Sequence, residues 1–162
     1  MEIAGFELPR VVVLPALDDV DRTEMVEVLR VALEPQTVVT LGSIGSELPL
    51  NSWIAAVSLA IARSGPAFEG VHLVAFGEVA DRLPTLSFGQ KAARRIVHSY
   101  TCVDAIPTGQ FVDWPDAPVT IIQTNQLALA EISNTSRLRG WDFVKTNSAV
   151  DAIVQSITQQ NY

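Results

Sequence analysis

Val71-His72-Leu73-Val74-Ala75-Phe76-Gly77-Glu78-Val79-Ala80 carries a mostly apolar, extended run, Val71–Ala75, straight into a turn and a helix-compatible stretch. This is the layout of a nucleophile elbow, the sharp strand-to-helix turn written G-x-S-x-G, in which the serine would fall at Gly77. The turn is present and the attacking side chain is absent.

On both sides of this stretch, strand-like and helix-like segments alternate. Arg10–Leu14 (RVVVL) is a near-continuous apolar run, as expected of a strand buried on both faces. Asp21 and Glu24 follow with capping-box spacing. Met25, Val28, Leu29 and Ala32 recur at helical intervals, and Pro35 ends the segment. Gln36–Leu41 is β-branched and reads as a second strand. Ser52–Arg63 reads as a helix closed by Gly65-Pro66. After the third strand, His72–Ala75, the segment Pro84–Val97 is helix-compatible, with Lys91, Arg94 and Arg95 in its last turns, favourable to the macrodipole. Ser99–Val103, Val119–Gln123 and Trp141–Thr146 supply three more strands, and Leu127–Leu138 and Ala149–Thr158 two more helices. Strands separated by single helices pair in parallel through right-handed crossovers. The expectation is one α/β domain over residues 1–162, a three-layer sandwich with a mostly parallel sheet of about six strands.

Composition narrows the function. At 162 residues, 48% hydrophobic and 18% charged, the chain can bury a substantial core and is not of disordered composition. A net charge of −7 opposes binding to phosphate backbones or anionic membranes, so neither nucleic acid nor membrane is an expected partner. Cys102 stands alone, and His72 and His98 are the two histidines, too few for a zinc cluster. No cofactor and no metal are expected. The run Met1–Arg10 has Glu2 and Glu7 and lacks a signal-like apolar core, and the default location is the cytoplasm.

Taken in order, these segments resemble an α/β-hydrolase, specifically the short, lidless, actinobacterial-type members without the first two strands. Val11-Val12-Val13-Leu14-Pro15-Ala16-Leu17 resembles the first-strand signature with its oxyanion-loop turn. Leu73–Gly77 resembles the strand into the elbow. Val103-Asp104-Ala105-Ile106-Pro107 and Trp114–Val119 resemble a later strand end and the approach to the next strand. Arg139-Gly140-Trp141-Asp142-Phe143-Val144 resembles the final strand. The resemblance implies that the second strand lies at one edge, the first beside it, and the third to sixth follow outward. It also implies a Ser, acid and His in that chain order, with His after the last strand. This chain departs at each: Gly77 replaces Ser, Thr124-Asn125-Gln126 follows the fifth strand without a carboxylate, and no His occurs after His98. The triad is degenerate.

Other residues are weighed for replacement chemistry. Ser43 and Ser46 lie in a glycine-containing loop, where a displaced nucleophile competes with a plain turn. Glu78, just after the elbow, is the candidate catalytic base if burial raises its pKa, against an ordinary first-turn glutamate. Asp18, Asp19 and Asp21 cluster at the carboxyl edge, as a hard-cation site or as a solvated loop with Asp21 a cap. Asp104 is expected to accept loop N–H bonds. Cys102 reads as a buried thiol, His72 as structural, Trp53 and Trp141 as packing residues. Ala16, Leu17, Phe76, Gly77, Glu78, Phe111 and Trp114 are the candidate ligand-binding set around an apolar pocket.

The expected function is therefore a catalytically degenerate hydrolase-like protein that binds a small apolar or acyl-type ligand, or a protein partner, without hydrolysing it. The alternatives are non-hydrolytic acid/base chemistry in small-molecule tailoring, or a divergent ester or thioester hydrolase. An exposed sheet edge with few charges also points to a homodimer.

Overall fold

The computed structural model of the protein describes residues 8–41, 44–105, 117–126 and 129–161. Six strands form one sheet: β1 (Arg10–Val13), β2 (Val38–Thr40), β3 (Val71–Phe76), β4 (Val97–Val103), β5 (Val119–Gln123) and β6 (Asp142–Lys145), in the order β2-β1-β3-β4-β5-β6. Every neighbouring pair is parallel. This is the strand order that the resemblance implied.

Parallel strands need crossovers, and the helices that supply them cover both faces. One face carries α2 (Leu50–Ser64), α3 (Leu83–Ala92) and α4 (Leu129–Arg139), whose Trp53, Val57, Ile61, Leu83, Leu86 and Ile132 pack on Val12, Leu73, Ala75, Cys102 and Ile121. The other carries α1 (Thr23–Ala32) and α5 (Ala149–Gln159), whose Val26, Leu29, Ile153 and Ile157 pack on Val11, Val13, Val74, Phe76 and Ile122. Strand alternation assigns the side chains: Leu73 and Ala75 to one layer, His72, Val74 and Phe76 to the other. With both faces covered, β1, β3 and β5 are buried at every position, hence their mostly apolar runs, interrupted at Arg10, His72, Thr120 and Gln123.

Two helix termini differ from the sequence reading. Asp21 does not complete a capping box. Its carboxylate accepts from the Thr23 backbone N–H at 2.9 Å and the Thr23 hydroxyl at 2.6 Å, and Arg22 occupies the cap position. Beyond β3 the chain first makes a 3₁₀ segment, Gly77–Arg82, and α3 ends at Ala92, leaving Arg94 and Arg95 outside it. Arg94 turns the chain with a left-handed φ of 57°. Arg95 folds inward, 7% exposed, and donates to the carbonyls of Gly65 and Pro66 at 3.4 Å each. It therefore serves the carboxyl end of α2 rather than that of its own helix.

Among the described residues, no helix is long and apolar enough to cross a membrane.

Candidate ligand cleft at the glycine elbow

In this sheet β1 connects outward to β2 on one side, and β3 begins the run on the other. The strand order thus reverses between β1 and β3, and the crevice outside the carboxyl ends of such strands is where open α/β sheets bind ligands. A cleft of about 290 Å³ opens there. Leu14, Pro15 and Ala16 from the end of β1, Thr40 and Leu41 from the end of β2, and Phe76 from the end of β3 form its floor. Val20 and Arg22 of the loop, with Thr23, Val26, Glu27 and Arg30 of α1, form its roof.

Gly77 follows Phe76 directly and has φ 65°, the left-handed conformation that only glycine adopts without strain. The chain thus turns out of β3 at a residue that carries no side chain. A Cβ built at residue 77 would lie 3.6 Å from Oδ2 of Asp18. That carboxylate is gripped by Arg22, whose Nη1 and Nη2 donate to Oδ1 at 2.8 Å and Oδ2 at 2.9 Å. The Val20 N–H adds a bond to Oδ1 at 3.1 Å. The Arg22 hydrogen bonds hold the Asp18 pKa below the ordinary carboxylate value despite an opposing burial effect. The Arg22 guanidinium also lies 4.7 Å above the Phe76 ring centre. Farther along α1, Arg30 pairs with Glu27 and reaches the Val38 carbonyl.

The sequence-predicted ligand set divides accordingly. Ala16 and Phe76 line the cleft and Gly77 adjoins it, whereas Leu17 packs into the core on the α2 face. Glu78 is exposed in the first 3₁₀ turn, so the burial that its role as a base required is not met. Phe111, Trp114 and Ser43 lie outside the described residues. Asp18 and Asp21 are committed to Arg22 and Thr23, and no group of three metal-ligating side chains occurs among the described residues. Sequence reasoning missed Arg22, Arg30, Val20 and Val26. The i,i+4 spacing of Asp18 and Arg22 just before a helix start was the available signal for the first.

Both histidines sit at the far end of the strands. His72 Nδ1 is 2.7 Å from the Ser99 hydroxyl, and its Nε2 is 3.0 Å from Oδ1 of Asn161. An acceptor at Nε2 places the ring proton there, so the Ser99 hydroxyl donates to Nδ1. This array resembles a triad in connectivity. It is nevertheless sealed, with His72 0% and Ser99 1% exposed, and it lies near the start of β3 while Gly77 follows the end of that strand, about 16 Å away at the usual strand rise. Burial pushes the His72 pKa down to about 4. Cys102 is fully buried, with its thiol pushed up to about 12 by desolvation. Asp104 accepts from the Thr124 N–H at 2.7 Å and its hydroxyl at 2.5 Å, tying the ends of β4 and β5 together as expected.

Six parallel strands in this order, helices on both faces and a left-handed turn after β3 define an α/β-hydrolase-like fold. A crystal structure of a protein from Xanthomonas campestris pv. campestris, described as belonging to the hydrolases of the α/β superfamily, shares it. It superposes with a TM-score of 0.62 over 94% of each chain at 12% sequence identity. No family model and no curated protein matches the chain. At that identity the likeness is one of fold, and function has to come from the site.

Proposed function

We propose that this protein is a hydrolase-like scaffold that binds a small, mainly apolar or acyl-type ligand in the cleft at the β1–β3 switch point and does not hydrolyse it. The observation that carries the reading is Gly77: the elbow backbone is in place, but the residue on it has no side chain. The chain's two histidines are both at the opposite strand ends, so no imidazole is within reach to activate a hydroxyl brought to the turn. The cleft next to it keeps an apolar floor with a few polar groups on its roof, the usual make-up of a small-molecule site. Proton-transfer chemistry is the weaker reading, because Asp18, which lies against the turn, is held in its ionised form by Arg22 and makes a poor base.

The test pairs turnover with binding. p-Nitrophenyl butyrate should be hydrolysed no faster than in buffer, while the neutral fluorophore N-phenyl-1-naphthylamine should bind saturably and lose that binding on Ala16→Trp, which fills the cleft. Turnover above buffer that vanishes with Ser43→Ala would overturn the proposal, as would fluorophore binding that is absent or indifferent to Ala16→Trp.

A further inference from the structure

The roof of the cleft carries charge of a specific kind. Arg22 and Arg30 both face it, with Glu27 as the carboxylate among its lining residues. In a chain of net charge −7, two guanidinium groups on one wall are a local concentration of cations, each answered by a carboxylate, Arg22 by Asp18 and Arg30 by Glu27. The amino end of α1, represented in the lining by Thr23, adds its positive dipole end to the same wall.

Arg22 is also held in two separable ways. Its guanidinium plane is seated over the Phe76 ring at 4.7 Å, and its fork is filled by the two oxygens of Asp18 at 2.8 and 2.9 Å. The ring is 4% exposed and belongs to the core, so it is a fixed support. Asp18 lies on an exposed loop with 38% of its side chain open to solvent, so the pair, although bidentate, is within reach of water and of a competing carboxylate. Asp18 can leave while Arg22 stays in place. The fork it would vacate has the planar, two-pronged geometry that fits a carboxylate and fits neither an alcohol nor an amine.

Building on the cleft as a ligand site, we infer that its ligand is a small aliphatic molecule with a free carboxylate, whose oxygens replace those of Asp18 on Arg22 while its chain lies over Leu14, Ala16 and Phe76. Asp18 is then a resident stand-in for the ligand's head group. The exchange is one carboxylate for another and breaks no covalent bond.

Isothermal titration of octanoate, octan-1-ol and octylamine into the protein, at constant ionic strength and about pH 8 where the acid is ionised, tests this. Octanoate should bind about tenfold or more tighter than octanol, as expected of a charge-assisted bidentate contact. Asp18→Asn should tighten octanoate severalfold and leave octanol unchanged, since it removes the competing charge. Arg22→Lys, which keeps the charge but loses the fork, should erase most of the preference. Octanol binding as tightly as octanoate, octylamine binding best, or a preference that survives Arg22→Lys would each overturn the inference while leaving the cleft as a ligand site. Failure of all three probes to bind would sink both readings. If Arg22→Lys does not fold, the opposite responses of octanoate and octanol to Asp18→Asn decide the matter.

Discussion

The imidazole of His72 and the hydroxyl of Ser99 are hydrogen-bonded at 2.7 Å across neighbouring strands, inside the protein and at the end of the sheet opposite the cleft. Asn161 continues the chain from His72 to Gln36, whose Nε2 donates to the Pro9 carbonyl at 2.7 Å. The carboxyl-terminal segment is thereby pinned to the starts of β1 and β3. A serine bonded to a histidine is here a structural tether.

Its first consequence is a pH dependence of stability. His72 is held neutral by burial, its folded pKa near 4 against 6.5 unfolded, with the neighbouring His98 opposing its charge and the Asn161 bond favouring it. Between those values the unfolded chain binds the extra proton, so stability falls as pH drops from about 6.5 to 4 and this contribution is then exhausted. The loss should be roughly 3 kcal/mol at full protonation. His98, also lowered by burial, adds in the same direction. Urea denaturation of wild type and His72→Gln from pH 7 to 4 should show the slope much reduced in the variant; an unchanged slope would refute the assignment.

Restoring a serine at the elbow should not restore hydrolysis. Gly77→Ser places a Cβ in ordinary contact with Asp18, so there is room, but φ 65° costs a side-chain-bearing residue about 1–2 kcal/mol. The variant should fold with that loss in denaturant titrations and show no gain on p-nitrophenyl esters, since the histidines are at the other strand ends.

Gly65 is required for space rather than for backbone freedom. Its φ of 162° is extended, yet a Cβ there would lie 2.4 Å from Nη1 and 2.5 Å from Cζ of Arg10. That guanidinium is buried and ion-paired with Glu69 at 2.8 Å. Gly65→Ala should therefore displace Arg10 and cost about 1–3 kcal/mol, the penalty for disturbing a buried polar contact. In an Arg10→Met background the same substitution should cost much less, as a double-mutant cycle would measure.

Cys102, 0% exposed and with its pKa near 12, should be inert to Ellman's reagent at pH 8 in the native protein. Reaction should appear only in denaturant, at a rate that follows unfolding. Rapid native labelling would contradict the burial.

Much of this architecture was legible along the chain. Arg10–Val13, Val71–Phe76 and Val119–Gln123 are buried on both faces, and that requirement writes itself as a mostly apolar run that no exposed segment needs. The structural role of Asp104 was legible too, from its place at a strand end. The glycine at the elbow could be read directly, and so could the lack of any later histidine. Arg95 could not: near a helix end it looks like a dipole partner, and only the approach of α2 turns it inward. The exposure of Glu78 and the core packing of Leu17 were not legible for a related reason, because which way a side chain leaves a tight turn depends on the turn's twist and not on its neighbours in sequence.

The amino-acid sequence by itself determined the class of the fold and the glycine at the turn after β3, since strand burial, helix periodicity and residue identity at a turn are local and leave local marks. The tertiary structure alone decided the cleft. Residues from three strand ends, a loop and one face of α1 become neighbours only when the sheet order reverses between β1 and β3 and α1 closes over the gap. Packing across long sequence separations also buried His72 against Ser99 at the opposite end of the sheet and seated Arg22 on Phe76, and no spacing rule along one chain encodes such contacts.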